Sequence, residues 1–270
     1  MSDSTESKIR RSDSEIIHYD KAAEEVLHGA SWQEIIDINE FERYRLTKNP
    51  AHFPKEKMFS LVNQIEGKKV LEIGCGHGAA SVRLAYVDKE VTAYDVSPKA
   101  IEVAKLVAEV NGMNVDFRVG DFTQDVMLGK EEFDIVWFEM VLHHMIPELD
   151  DVMSKTYNAL KPGGLFVCWE PLDYPRWIRK LDPMWRMLGA RMPNLSVDYS
   201  PEEHPLRPSE LEIIRRYFPH LQMKYSDLLR GFRFTDNVKA RKFISQIEHC
   251  LLVIPGMKKF AHGAVMWAYK

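Results

Sequence analysis

The chain has 270 residues, of which 45% are hydrophobic and 28% charged, the mix of an ordinary globule long enough to bury a sizeable core. A formal net charge of −4 argues against a nucleic-acid binder, which is more often basic, and no stretch approaches the ~18 apolar residues of a membrane span. The three cysteines, Cys75, Cys168 and Cys250, form no C-x-x-C pair and no zinc spacing, which suits a reducing, cytoplasmic compartment.

Residues 1–14 are rich in Ser, Asp and Glu with little to bury, so the expectation is a disordered tail without a secretory signal. Residues 15–54 form an N-terminal arm. Its helical part carries apolar and aromatic positions from Ile16 to Leu46 and ends near Asn49-Pro50, where proline discourages helix. From residue 55 the pattern becomes strand, helix, strand, helix. Lys69–Ile73 is a buried strand, Ala79–Ala85 a helix, Glu90–Tyr94 a strand, and Pro98–Val110 a helix with proline in its first turn. Strands follow at Asn114–Val119 and Phe133–Phe138. A helix at Leu149–Leu160 is stopped by Lys161-Pro162-Gly163-Gly164, and a fifth strand lies at Leu165–Trp169. Residues 171–207 break the rhythm and read as a lid insertion. Helices at Ser209–Phe218 and Asp236–Leu252 and strands at Leu221–Tyr225 and Ala264–Tyr269 complete the chain. The fold expected over 55–270 is therefore α/β, Rossmann-like and doubly wound. It has a mostly parallel seven-stranded sheet, helices on both faces and helical lid elements.

The segment Val70–Ala79, VLEIGCGHGA, places Gly74, Gly76 and Gly78 where a strand turns into a helix. Glycines there accept positive φ and admit a ligand to the backbone, and the helix that follows offers free N–H groups. Asp95 stands about 20 residues on, at the end of the second strand, placed to accept from ribose hydroxyls. This pattern points to an adenosine nucleoside without choosing which, because the dinucleotide fingerprint shares it.

The choice comes from the ordered set of segments. VLEIGCGHG, then AYDVSPKAI (Ala93–Ile101), VDFRVGDF (Val115–Phe122), FDIVWFEMVLHH (Phe133–His144) and LKPGGLFV (Leu160–Val167) together resemble the class I S-adenosylmethionine-dependent methyltransferases over about residues 68–170. The resemblance implies S-adenosyl-L-methionine as cofactor and S-adenosyl-L-homocysteine as its product. It implies a loop of Glu72, Gly74, Cys75, Gly76 and Gly78 around the methionine part, with Glu72 steadying the loop or facing the amino group. It further implies Asp95 and Val96 at the ribose, Asp121 and Phe122 at the adenine, and Glu139 near the donor.

Methyl transfer from a sulfonium is an in-line displacement whose donor is already activated. The protein must position the acceptor and, where needed, remove its proton. His143, His144, Glu139 and Glu170 are the candidate catalytic groups, and His204 is a further candidate for substrate contact. A histidine titrates near neutrality. The competing reading makes one or both histidines structural and Glu170 the cap of a loop. No metal is expected, since adjacent histidines do not share a helix face and no acidic partner stands at ligand spacing.

The expected activity is O- or N-methylation of a small molecule. A protein methyltransferase, a nucleic-acid methyltransferase and a nicotinamide oxidoreductase using the same glycine loop are the alternatives. The nucleic-acid enzyme would want a basic face and the oxidoreductase a Tyr-x-x-x-Lys set, and neither is apparent. No nucleic-acid partner is expected. Around residues 176–191 an apolar stripe lies beside arginines and Lys180, read as a packed lid or as a peripheral membrane contact. Oligomeric state is unreadable.

Overall fold

A computed structural model describes residues 3–29, 54–124, 126–173, 204–229 and 238–270. The greater part of the lid insertion, including the stripe at 176–191, and the second half of the N-terminal arm lie outside these residues. Helix α1 (Asp3–Gly29) precedes α2 (Lys55–Val62), β1 (Lys69–Ile73), α3 (Ala79–Tyr86), β2 (Glu90–Asp95), α4 (Pro98–Val110) and β3 (Asp116–Val119). Then come β4 (Phe133–Glu139), α5 (Leu149–Ala159), β5 (Leu160–Pro171), α6 (Pro208–Tyr217), β6 (Gln222–Ser226), α7 (Val238–Val253) and β7 (Gly263–Tyr269).

The seven strands form one sheet in the order β3-β2-β1-β4-β5-β7-β6. The neighbours from β3 to β5 pair in parallel, and β7 runs antiparallel to both β5 and β6. Side chains alternate across the pleat, and both faces are packed. Val70, Ile135, Trp137, Leu165, Val167 and Val265 belong to the core under α2, α3 and α4. Leu71, Ile73, Val136, Phe138, Phe166 and Met266 belong to the core under α5 and α6. Burial on both faces explains why the central strands read as continuous apolar runs rather than as alternating ones.

Local chemistry sets the element ends. The Ser97 hydroxyl accepts from the Ala100 N–H at 2.9 Å and caps α4, with Pro98 in the first turn. β5 starts at Leu160, earlier than the apolar run suggests, and the Pro162-Gly163-Gly164 segment is taken into it across a register irregularity between Phe133 and Ile135. Of residues 1–14, read from composition as a tail, the described residues 3–14 have helical backbone and are part of α1. No glycine or proline interrupts the stretch from Asp3 to His28, so a helix nucleated on the apolar positions further along extends backwards at one hydrogen bond per residue.

Candidate active site

Between β1 and β4 the connections leave the sheet on opposite sides, and a crevice opens at the carboxyl ends of the strands, where open α/β sheets take their ligands. The crevice is a cleft of about 720 Å³ with its mouth included. Its floor is the loop after β1. Gly74 has φ 69° and its N–H donates to the Tyr94 carbonyl at 2.8 Å. A Cβ on Gly74 would overlap the Val141 side chain, whereas one on Gly76 would meet no atom within 4 Å. The first glycine is needed for packing. The second leaves backbone open to the cleft.

Asp95, at the end of β2, accepts from the Gly76 N–H at 2.8 Å through one oxygen and from the Ser97 N–H at 3.0 Å through the other. It therefore clamps the glycine loop to the start of α4. Burial pushes its carboxyl up from the usual range, opposed by those N–H groups. Val96, Phe122 and His77 also line the cleft. Burial draws the His77 imidazole down, and nearby Asp95 opposes this. Cys75 is buried, which holds its thiol well above the ordinary range.

Glu72 sits beneath the loop. It is 2% exposed and receives a hydrogen bond from the Ser81 hydroxyl, so it ties β1 to α3. Burial raises its pKa to about 8, with the neighbouring Glu139 adding to the rise. Glu139, at the end of β4, is ion-paired through one oxygen with Lys55 at the start of α2. Its other oxygen is buried and meets no hydrogen-bond partner among the described residues.

The candidate catalytic groups divide. Glu170 is fully buried and takes the loop-capping alternative. One oxygen accepts from the Val141 and Leu142 N–H groups at 2.9 and 2.8 Å, and the other is 2.8 Å from His143 Nδ1. His143 is itself 4% exposed and held in this network, which gives it a structural position. His144 lines the cleft, with its ring 4.1 Å from that of His143. Its Nε2 lies 3.3 Å from the hydroxyl of Tyr19 on α1. The two histidines are brought together, but only the second faces the crevice.

Asp121 is spent locally: Oδ1 accepts from the Thr123 N–H and hydroxyl at 2.8 and 2.6 Å, and Oδ2 from the Gln124 amide at 3.1 Å. These bonds close the turn after β3 and set Phe122, 1% exposed, against the ring of Phe138. His204 lies near its own chain, Nδ1 2.9 Å from the Pro205 carbonyl, and is not among the cleft residues described. Among the described residues no cluster of His, Cys, Asp and Glu could hold a metal ion, and no helix is long and apolar enough to cross a membrane.

Several cleft residues are not marked by local sequence pattern. Glu15, Tyr19, Met140 and Val141 line the cleft as well. Met140 has φ 58°, a left-handed conformation that side chains seldom adopt and that recurs at functional sites. Its N–H is held by the Trp169 carbonyl at 2.8 Å. The aromatic positions of the arm were the only signal for Tyr19. Asp20 fastens α1 over the cleft, accepting from the Ser97 hydroxyl at 2.5 Å and the Lys99 N–H at 3.1 Å.

Residues 70–164 match a family described as a methyltransferase domain. An uncharacterized methyltransferase of Synechocystis sp. is 31% identical over 141 residues, 48% of this chain and 64% of that protein. A ubiquinone biosynthesis O-methyltransferase of Cereibacter sphaeroides is 36% identical over 103 residues, 38% of this chain and 41% of that protein. The chain thus spans less than two thirds of the length of these relatives. Among solved structures, the geranyl diphosphate C-methyltransferase of Streptomyces coelicolor, in complex with Mg2+, geranyl diphosphate and S-adenosyl-L-homocysteine, superposes with a TM-score of 0.51. It has 15% identity and covers 79% of this chain and 78% of that one. The segments between Val70 and Gly164, set on a seven-stranded sheet with an antiparallel β7, are thus similar to a methyltransferase domain.

Proposed function

We propose that the chain binds S-adenosyl-L-methionine in the cleft and transfers its methyl group to an oxygen or nitrogen of a small-molecule acceptor. The observation that carries this reading is the Asp95 clamp. A carboxylate held by the Gly76 and Ser97 N–H groups stands at the end of β2, beside a glycine loop whose backbone faces open volume. A carboxylate has about four acceptor sites, so capacity remains for the two ribose hydroxyls. The group fits the residues present. Phe122 supplies an apolar face for the purine, and the buried Glu139 oxygen that meets no partner among the described residues suits the methionine ammonium. Asp121 acts through the turn it closes, holding Phe122 in place.

When bound, the cofactor supplies a methyl group already activated by the positive sulfur. The chain's residues then have to orient an acceptor and exclude water. His144 is the candidate catalytic group that stands on the cleft wall, with a ring nitrogen able to take a proton from an acceptor hydroxyl or amine. Glu170 and His143 position it by fixing the turn 142–144. Helix α1, with Tyr19 and Glu15, covers the cleft and serves as its lid. The proposed compartment is the cytoplasm, which agrees with the free thiols of Cys75, Cys168 and Cys250.

Calorimetry with S-adenosyl-L-homocysteine and, separately, NAD tests the cofactor. Binding of the first with NAD far weaker is expected, and tighter NAD binding overturns the reading in favour of an oxidoreductase. Transfer of labelled methyl to small-molecule extracts, compared with protein and nucleic-acid fractions, tests the acceptor class.

A further inference from the structure

Helix α7 and the turn after it lie outside the cleft, and their surface chemistry is inverted. The helix buries Glu248 and Leu252. Glu248 fastens it to the exit of β6, accepting from the Asp227 N–H at 3.0 Å and the Leu229 N–H at 2.9 Å. The opposite side carries Phe243 (63% exposed), Ile247, Cys250 and Val253 (80% exposed) at helical spacing, and Ile254 continues the stripe. A helix on a globular surface ordinarily turns such residues inward. Among the described side chains of the helix, the exposed polar neighbour of the stripe is the uncharged Gln246. The apolar stripe runs into Pro255-Gly256 and the turn Met257–Phe260, with Lys258 and Lys259 exposed. No acid occurs between His249 and Lys270. The segment is thus cationic and apolar on a chain whose net charge is −4.

We infer that this face, Phe243, Ile247, Val253 and Ile254 with Lys258 and Lys259, is a docking surface for an anionic lipid bilayer. Apolar side chains enter the acyl boundary while neighbouring lysines meet headgroup phosphates, the chemistry of helices that lie in a membrane interface. The charge selects this occupant over a second copy of the chain, since an acid-free lysine pair repeated across a two-fold axis would oppose its own kind. Topology places the face near the cleft. β6 ends at Ser226 and β7 begins at Gly263, and Gly263 pairs on one side with Ser226 and on the other with Pro171 at the carboxyl edge of β5. The excursion carrying α7 therefore leaves and returns at the sheet edge where the cleft opens. A bilayer held there would bring an apolar acceptor within reach of the cleft.

Co-sedimentation of the full chain with phosphatidylcholine vesicles, with and without phosphatidylglycerol, tests this. The expected result is binding to the anionic vesicles alone, weakened by salt. Lys258→Ala with Lys259→Ala should lower the partition coefficient roughly thirty-fold at about 1 kcal/mol per lysine. Phe243→Glu with Ile254→Glu should abolish binding with the melting temperature unchanged. Absence of binding, equal binding to neutral vesicles, or a dimer on analytical ultracentrifugation that the Phe243→Glu/Ile254→Glu protein no longer forms each overturns the proposal. None of these readouts depends on methyl transfer.

Discussion

The hydroxyl of Tyr19 lies 3.3 Å from Nε2 of His144, joining residues 125 positions apart inside the cleft both line. One side of that contact rides on α1. The other sits on a turn held by a fully buried carboxylate. His144 is therefore oriented twice, by Tyr19 in front and by the Glu170 network behind. Replacing His144 with Ala should lower kcat by ~10²–10⁴-fold while cofactor affinity stays nearly constant, the scale of a lost general base. Tyr19→Phe should raise KM more than it lowers kcat. Steady-state kinetics with calorimetry on each variant checks this, and a kcat within a few-fold of wild type for His144→Ala removes it from the chemistry.

Glu170 should behave as a structural group. Removing its carboxylate strands the Val141 and Leu142 N–H groups and the His143 ring, each partner costing ~1–3 kcal/mol when buried and unsatisfied. Glu170→Ala is expected to lose about 3–5 kcal/mol on denaturant unfolding, with Glu170→Gln in between because one acceptor oxygen survives. Unchanged stability with lost turnover would instead return Glu170 to a direct role.

Asp95→Ala should weaken binding of S-adenosyl-L-homocysteine by ~1–3 kcal/mol, the worth of hydrogen bonds to a carboxylate. Part of that loss is indirect, because Asp95 also holds the Gly76 N–H. Gly74→Ala should be worse for folding than for binding, since the new methyl meets Val141 at a positive φ. Titration calorimetry and thermal melts on both variants separate the two effects.

Glu72 predicts a pH dependence of stability. In the folded chain its pKa is raised to about 8 from an ordinary 4.5, chiefly by burial. Between those values the folded state holds the proton that the unfolded state has released, so stability declines as pH rises, by at most ~1.4 kcal/mol per pH unit. The decline ends above about pH 8, once both states are ionised. Glu72→Gln keeps an acceptor for the Ser81 hydroxyl and should flatten this slope between pH 6 and 8. Parallel slopes for the two proteins in urea titrations would show that Glu72 is ionised throughout.

Deleting residues 1–50 should leave a folded core with sharply reduced turnover, and Asp20→Ala should act in the same direction more mildly. Asp20 holds α1 to the start of α4 through Ser97 and Lys99. Circular dichroism together with kcat/KM checks both, and undiminished efficiency in the truncated protein would take the arm out of the site.

Local pattern carried much of this protein. Short apolar runs between turn residues mark β1 and β4, Pro98 after Ser97 marks the start of α4, and the glycines from Gly74 to Gly78 mark the turn that floors the cleft, because each depends on residues within a few positions of one another. The acidic residue at the end of β2 was legible for the same reason. What the pattern left open needed long-range contact. Whether Glu170 faced the cleft or capped a turn depended on where residues 141–143 would lie, 27 to 29 positions away. Which histidine faced inward depended on that cap. The place of Tyr19 depended on Asp20 finding Ser97 77 positions on. Side-chain burial and pairing at such separations are set by how the layers pack, and no local periodicity encodes them.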